Sequence, residues 1–372
     1  MKFSKKWAVS DRPETTSTPK KVALTASKTT NRQNQSSTRQ VAAVLAATAT
    51  LWGLGVGNAQ AAEGQLRIAQ QYGIVYLLLN VAQDQKLIEK HGKAQGVDIK
   101  VDYLQFSGGP AVNDALLSGN VDIAGAGVAP LFTLWDRTRG KQNVKGVASL
   151  GNFPYYLVSN NPQVKTIADF TDKDRIATPA VGVSVQSRVL QYASAKLWGD
   201  KEYQRLDKLQ VALPHPDAAA AIIKGGTEIT AHFGNPPFQD LELASNPNAR
   251  VVLNSYDVLG GPASSTVLYA TEKFRHDSPK TYRAFVDALD ESAQFIKANP
   301  EQAADIFLKS GGGKVDKALV LKIIQNPQVQ FTVQPQNTVG LGQFLHKVGV
   351  IKTRPENAKD YFFDDPRVAG GS

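Results

Sequence analysis

Five histidines, His91, His215, His232, His276 and His346, are the side chains best suited to proton or metal chemistry in this 372-residue chain. No two stand at the H-x-x-x-H spacing that puts two ligands on one helix face, so no metal site is expected. The chain has no cysteine, which excludes thiol nucleophiles, disulfides and thiolate-held metals. It also lacks a G-x-S-x-G elbow, a phosphate-binding lysine loop and a dinucleotide fingerprint. This is poor equipment for a catalyst. The chain is read as a non-enzyme with no catalytic residues and no cofactor.

What recurs instead is a glycine- or serine-bearing turn where a strand hands over to a helix. Four such turns stand out: Gln71-Tyr72-Gly73, Ser107-Gly108-Gly109, Gly125-Ala126-Gly127 and Gly182-Val183-Ser184-Val185-Gln186. In an open α/β sheet, ligands sit outside the carboxyl ends of the strands. Helix amino ends there offer free backbone N–H groups and the positive end of the helix dipole. Each turn also serves plain chain reversal. Their recurrence after strands is what points to capture of a small solute by neutral groups.

The elements that would position these turns alternate in kind. Leu66-Arg67-Ile68-Ala69 reads as a strand and is followed by a helical pattern through Leu77, Leu78, Val81, Leu87 and Ile88. Val97 to Leu104 alternates apolar and polar residues, the period of a strand with one buried face. Pro110 suits the first turn of the next helix, Gly119 ends it, and Val121-Asp122-Ile123-Ala124 is another strand. Such alternation predicts an α/β fold with helices on both faces of a sheet. Ala115 to Ala124 also lines up without gaps on Ala221 to Thr230, as two similar lobes would. Beyond Ser278 the pattern is helical, with Tyr282, Phe285, Val286, Leu289, Ala293 and Ile296 on one stripe. Asn299-Pro300 restarts a second helix, and others are expected near 316–325 and 337–348.

The formal charge of +9 invites a nucleic-acid reading, but its distribution argues against one. Residues 1–61 hold nine Lys and Arg against two acidic residues, and the remainder is nearly balanced at 33 against 31. No nucleic-acid partner is expected. The apolar, Ala-rich run Val41–Val56 follows Arg39 and precedes Ala59-Gln60-Ala61. A basic region, a short apolar core and small residues at a cleavage site describe a secretory signal peptide, cut before Ala62. The run is too short and glycine-broken for a membrane span. Without a cysteine to carry lipid, the expected destination is the periplasm.

Phe106-Ser107-Gly108-Gly109-Pro110, Ala115 to Asp122 and Gly127-Val128-Ala129-Pro130 resemble periplasmic binding proteins of nitrate, sulfonate and taurine (NMT1/THI5-like) ABC importers. Tyr156 to Val158, Ile167-Ala168-Asp169-Phe170, Gly182-Val183-Ser184 and Leu213-Pro214-His215-Pro216-Asp217-Ala218 continue the resemblance, which covers roughly residues 64–350. It implies a two-lobed α/β fold, the type II periplasmic-binding-protein fold, with two crossing strands. The first lobe would hold 62–153 and 270–372, and the second 154–269, with crossings at Tyr155–Val158 and Val267–Ala270. By motif position the implied ligand residues are Tyr72, Gly73, Ser107, Gly108, Gly127, Ser184, Val185, Gln186, His215, Asp217 and His232. The implied partners are a small solute such as an alkanesulfonate, taurine or nitrate, and an inner-membrane ABC permease, met as a monomer.

The chain departs from that pattern at Ala231-His232-Phe233-Gly234-Asn235-Pro236-Pro237, where sulfonate binders tend to carry tryptophan and an acidic residue. Arg188 is the nearest cation in sequence to a proposed contact. Tyr72, Tyr76, His232, Phe233 and Phe238 would instead suit an aromatic or pyrimidine-type solute. A periplasmic sensor is a further alternative. So is an enzyme resembling the thiamine-pyrimidine synthases, against which the export signal and absent cysteine both count.

Overall fold

The computed structural model describes residues 63–311, 315–368 and 370–372, and among these ten short strands take up aliphatic runs of the chain. The leader, with its apolar run and expected cleavage site, lies outside the described residues. In order the strands are β1 (Gln65–Gln70), β2 (Lys100–Gln105), β3 (Ile123–Gly127), β4 (Lys145–Ser149), β5 (Tyr156–Ser159), β6 (Ile176–Thr178), β7 (Gln210–Ala212), β8 (Ala231–Phe233), β9 (Arg250–Asn254) and β10 (Thr266–Ala270). They form two five-stranded sheets, ordered β2-β1-β3-β10-β4 and β7-β6-β8-β5-β9. In each sheet four strands run the same way, and the fifth, β10 or β5, lies antiparallel between two of them.

Burial follows position. β10 is buried throughout and β3 nearly so, as strands covered on both faces must be. The outer strand β2 keeps its charged residues exposed, in line with its alternating sequence. Helices cover both sheets. The 20-residue helix Pro279–Ala298 packs on Leu77–Asp84 and Leu87–Ala94. It buries Tyr282, Phe285, Val286, Leu289 and Ile296 from the expected stripe, while Ala293 is half-buried. Pro300–Lys309, Lys317–Ile324 and Val339–Lys347 are the remaining expected helices. Among the described residues no helix is long and apolar enough to cross a membrane.

The two halves of the sequence echo hold equivalent places. The helix Gly109–Leu117 leads into β3, third in its sheet, and the helix His215–Lys224 leads towards β8, third in the other. The chain leaves the first sheet through residues 150–155 and returns through 260–265. Most of the two segments expected to cross between lobes lies within the sheets, as β5 and β10. Leu157, Val158, Val267 and Leu268 are wholly buried there, which a strand spanning open solvent would not allow. Polar side chains occupy the links instead. Asn152 bonds the side chains of Gln330 and Gln336, and accepts at its Oδ1 from the Ser264 hydroxyl at 2.7 Å. The C-terminal segment thereby ties both links together.

Candidate functional site

A small cavity of about 20 Å³ lies where the carboxyl ends of the two sheets face each other. Gln71 and Tyr72, just past β1, line it from the first sheet, as do Gly109, Gly127 at the end of β3, and Thr266 at the start of β10. From the second sheet come Pro179 past β6, the Ser184-Val185-Gln186 turn, His215, and Asn235 past β8. Four helices of eight residues or more start at this wall: Gly109–Leu117, Val128–Thr138, Val185–Trp198 and His215–Lys224. The first turn of a helix leaves backbone N–H groups without intrahelical partners and carries the positive dipole end. None of the cavity-lining residues is Asp, Glu, Lys or Arg.

The side chains around the cavity are fixed by specific bonds. Ser184 caps its helix, accepting from Ser187 N and donating to the Ala180 carbonyl at 2.9 Å. Its hydroxyl is therefore already engaged in the turn. Gln71 and the Tyr76 hydroxyl both donate to the Gly125 carbonyl, at 3.2 and 3.1 Å. Burial pushes the Tyr76 phenol well above its ordinary pKa, so it stays a neutral donor. His215 stacks on Phe238 with ring centres 5.7 Å apart, which holds its imidazole plane.

Two cross-sheet bonds close the space. The Ile74 N–H donates to the Pro236 carbonyl at 3.0 Å, and Asn235 Nδ2 donates to the Tyr72 carbonyl at 3.1 Å. Asn235 Oδ1 and the Ser265 hydroxyl are buried with no protein partner. A space of this size holds about one water molecule. An organic solute does not fit a space of this size.

Of the residues expected to touch a ligand, Tyr72, Gly127, Ser184, Val185, Gln186 and His215 line this cavity together. Gly73 sits beside it against Asn235 and Pro236, and Gly108 is buried against the Pro179 carbonyl. Ser107 and Asp217 are exposed and outside the lining, and His232 is fully buried behind His215. Arg188 also lies outside the lining and bonds Gln191 at 2.8 Å. Phe233 is core, with no exposed surface. Asn235 and Thr266 were not singled out from sequence as contacts, although Asn235 stands in the divergent segment before Pro236. Glu242, which bonds His232, carried no sequence signal because it lies on the next helix.

Comparisons with known proteins agree with this architecture. Residues 93–303 match the family model described as NMT1/THI5 like. A Brucella abortus (strain 2308) protein, provisionally named a binding protein, is 25% identical over 238 residues, which is 64% of this chain and 68% of that one. The alkanesulfonate-binding protein SsuA from Xanthomonas axonopodis pv. citri, bound to MOPS, superposes with a TM-score of 0.61 at 18% identity. That match covers 81% of this chain and 98% of SsuA. The periplasmic nitrate-binding protein NrtA from Synechocystis PCC 6803 gives a TM-score of 0.62 at 15% identity, covering 80% and 84%. At these identities the structural likeness establishes the fold.

Proposed function

This chain belongs to the NMT1/THI5-like family, and on that premise we propose that it is the solute-capturing subunit of an ABC importer. It works in the periplasm as a monomer and hands its solute to an inner-membrane permease. The observation that carries this reading is the cavity on which four helix amino ends from both sheets converge without one charged side chain. Such a site binds and orients a solute, with no acid–base pair opposite a reacting atom. Among the described residues no group of side chains is arranged to hold a metal.

The solute is a small oxyanion such as an alkanesulfonate, taurine or nitrate. Helix-end N–H groups stabilise its charge in place of a cation. The two lobes divide near 153 and, because β10 pairs within the first sheet, near 266 in place of the expected 269, and they part about the links at 150–155 and 260–265. The solute enters the open form, meets Tyr72, Gly127 and Thr266 on one side and Ser184, Gln186 and His215 on the other, and favours closure by touching both. The amides of Gln71, Gln186 and Asn235 beside aromatic Tyr72 and Tyr76 favour a second occupant, a neutral pyrimidine-type ring. Native mass spectrometry of freshly purified protein reads the mass of any carried solute. Adding methanesulfonate, nitrate or an aminopyrimidine should then raise the melting temperature and leave the scattering radius contracted. Binding with no contraction relative to ligand-stripped protein would sink the lobe-closure mechanism.

A further inference from the structure

Behind the cavity wall runs a line of four buried side chains that capture by helix ends does not require. Gln186 Nε2 lies 3.2 Å from His215 Nε2, His215 Nδ1 lies 2.8 Å from His232 Nε2, and His232 Nδ1 lies 2.5 Å from Glu242 Oε1. His232 and Glu242 have no exposed surface, while Gln186 and His215 meet the cavity. With both rings neutral, each has one donor and one acceptor nitrogen, so all the hydrogens along the line must point the same way. If Glu242 is a carboxylate, both rings carry their proton on Nδ1 and His215 turns a bare Nε2 towards Gln186 and the cavity. If Glu242 is a neutral acid, both protons sit on Nε2 and His215 faces that wall as an N–H donor. Gln186 then offers its carbonyl oxygen, since its amide orientation follows the network.

The geometry favours the neutral acid. Glu242 Oε2 is buried without a partner, a far greater cost for a carboxylate than for a carboxyl group. Facing groups do not compensate. Asp240, two residues earlier, brings no positive charge to Glu242, and Lys322 acts on Asp240. Tyr156 on β5 also feels Asp240. Burial raises the Glu242 pKa well above the carboxylate range and lowers those of both histidines, His232 to about 3.

We propose that Glu242, which touches no solute, is a positioning residue: as a neutral acid it holds His215 Nε2–H on the Gln186 carbonyl oxygen, which leaves Gln186 its amide hydrogens to offer at the cleft, so the captured solute presents an acceptor oxygen or ring nitrogen there. This rests on the cavity being the solute site. The relay itself is testable without any ligand.

Protein labelled with ¹⁵N at histidine and observed at pH 7 reports the tautomer of each ring through its nitrogen shifts. Neutral His215 and His232, both protonated on Nε2, are the expected result. A proton on Nδ1 of His215, or an imidazolium in either ring, overturns the relay. Glu242→Gln keeps a donor at the same place and should retain both tautomers, whereas Glu242→Leu should give His215 shifts averaged between the two forms. Unchanged His215 shifts in a folded Glu242→Leu protein also overturn it. With methanesulfonate as probe, Glu242→Leu should bind about tenfold more weakly and Glu242→Gln within about threefold of wild type, the scale of one hydrogen bond to the solute. Equal weakening in both variants with unchanged melting temperature counts against the proposal. Failure of the wild type to bind methanesulfonate, nitrate or aminopyrimidine while both rings carry Nε2 protons removes the solute reading and leaves the relay standing.

Discussion

Gly127 and Val185 meet across the cleft so closely that a β-carbon built on Gly127 would lie 2.8 Å from Val185 Cβ. Gly127 ends β3 and Val185 opens the helix behind Ser184, so the contact joins the two sheets at the cavity wall. Gly127 has φ of −63°, ordinary for any residue, so its need for glycine is one of space and not of backbone conformation. Gly127→Ala should therefore fold normally and resist closure. We expect a melting temperature within a few degrees of wild type and a larger scattering radius. The solute Kd should rise about tenfold or more, a shift of at least about 1.4 kcal/mol towards the open form. Val185→Gly in the same chain removes the opposing carbon and should recover most of the affinity. Calorimetric titration of the single and double variants checks both halves.

A second contact, away from the cavity, tests the same closing motion. Tyr192 and Phe344 stack with ring centres 4.5 Å apart and planes 15° from parallel. Tyr192 belongs to the helix Val185–Trp198, which follows β6 of the second sheet, and Phe344 to Val339–Lys347, which packs on the helix Val128–Thr138 that follows β3 of the first. An aromatic pair of this kind contributes about 0.5–1.5 kcal/mol beyond its buried area. Tyr192→Ala should shift the protein towards the open form and weaken solute binding by roughly threefold to tenfold. Stopped-flow release should quicken by a similar factor. Unchanged release would place the stack outside the closing motion.

The alternation of strands and helices, the glycine stops and the late helical stripe were legible because period and turn chemistry act locally. The echo of Ala115–Ala124 in Ala221–Thr230 was legible for the same reason, and it marks equivalent units of the two sheets. The turns at Tyr72, Gly127 and Ser184 could be read as strand-to-helix junctions, while His215 came through the family resemblance, and their positions past strand ends bring all four to one cavity. Asp217 was implied by its motif position in the family resemblance, yet its place two residues past His215 on the helix turns it to solvent. Ser107 is likewise exposed while Gly109 reaches the wall. Helical phase at a first turn decides such cases, and sequence alone locates it to a residue or two. Glu242 was invisible because its partner, His232, sits on a strand and meets it only through tertiary packing.

An ion pair in the first lobe gives a prediction independent of any ligand. Arg67 donates from Nε and Nη2 to the two carboxylate oxygens of Asp122, at 3.0 and 2.8 Å, and its backbone N–H donates to the same group. Asp122 is 5% exposed and Arg67 is half-buried, so this is not a freely solvated surface pair. Asp122→Ala strands a guanidinium and a strand N–H together. The expected loss is about 2–4 kcal/mol of stability, read from denaturant midpoints at unchanged slope. Asp122→Asn, which keeps an acceptor for the backbone, should lose less.

Asp240 supplies a pH signature. Burial is the main cause that raises its pKa from 3.8 to about 6, with Lys322 opposing the rise. Its Oδ2 is buried without a partner, so nothing in the protein compensates the charged form at that atom. Between about pH 4 and 6 the folded state holds a proton there that the unfolded chain has released. The folded state binds more protons in this window, so the Asp240 contribution to stability falls as pH rises through it and is constant above. His215 and His232, whose pKa values burial lowers, slope the other way: below about 6.5 the unfolded chain takes up protons that the folded one refuses. The wild-type curve therefore mixes opposed trends, and the difference between Asp240→Asn and wild type isolates one of them. That difference should be near zero at about pH 3 and favour the variant by up to about 3 kcal/mol at about pH 7. Urea unfolding at the two pH values measures it, and a gap that does not widen with pH would show that Asp240 ionises in the folded protein as readily as in the unfolded chain.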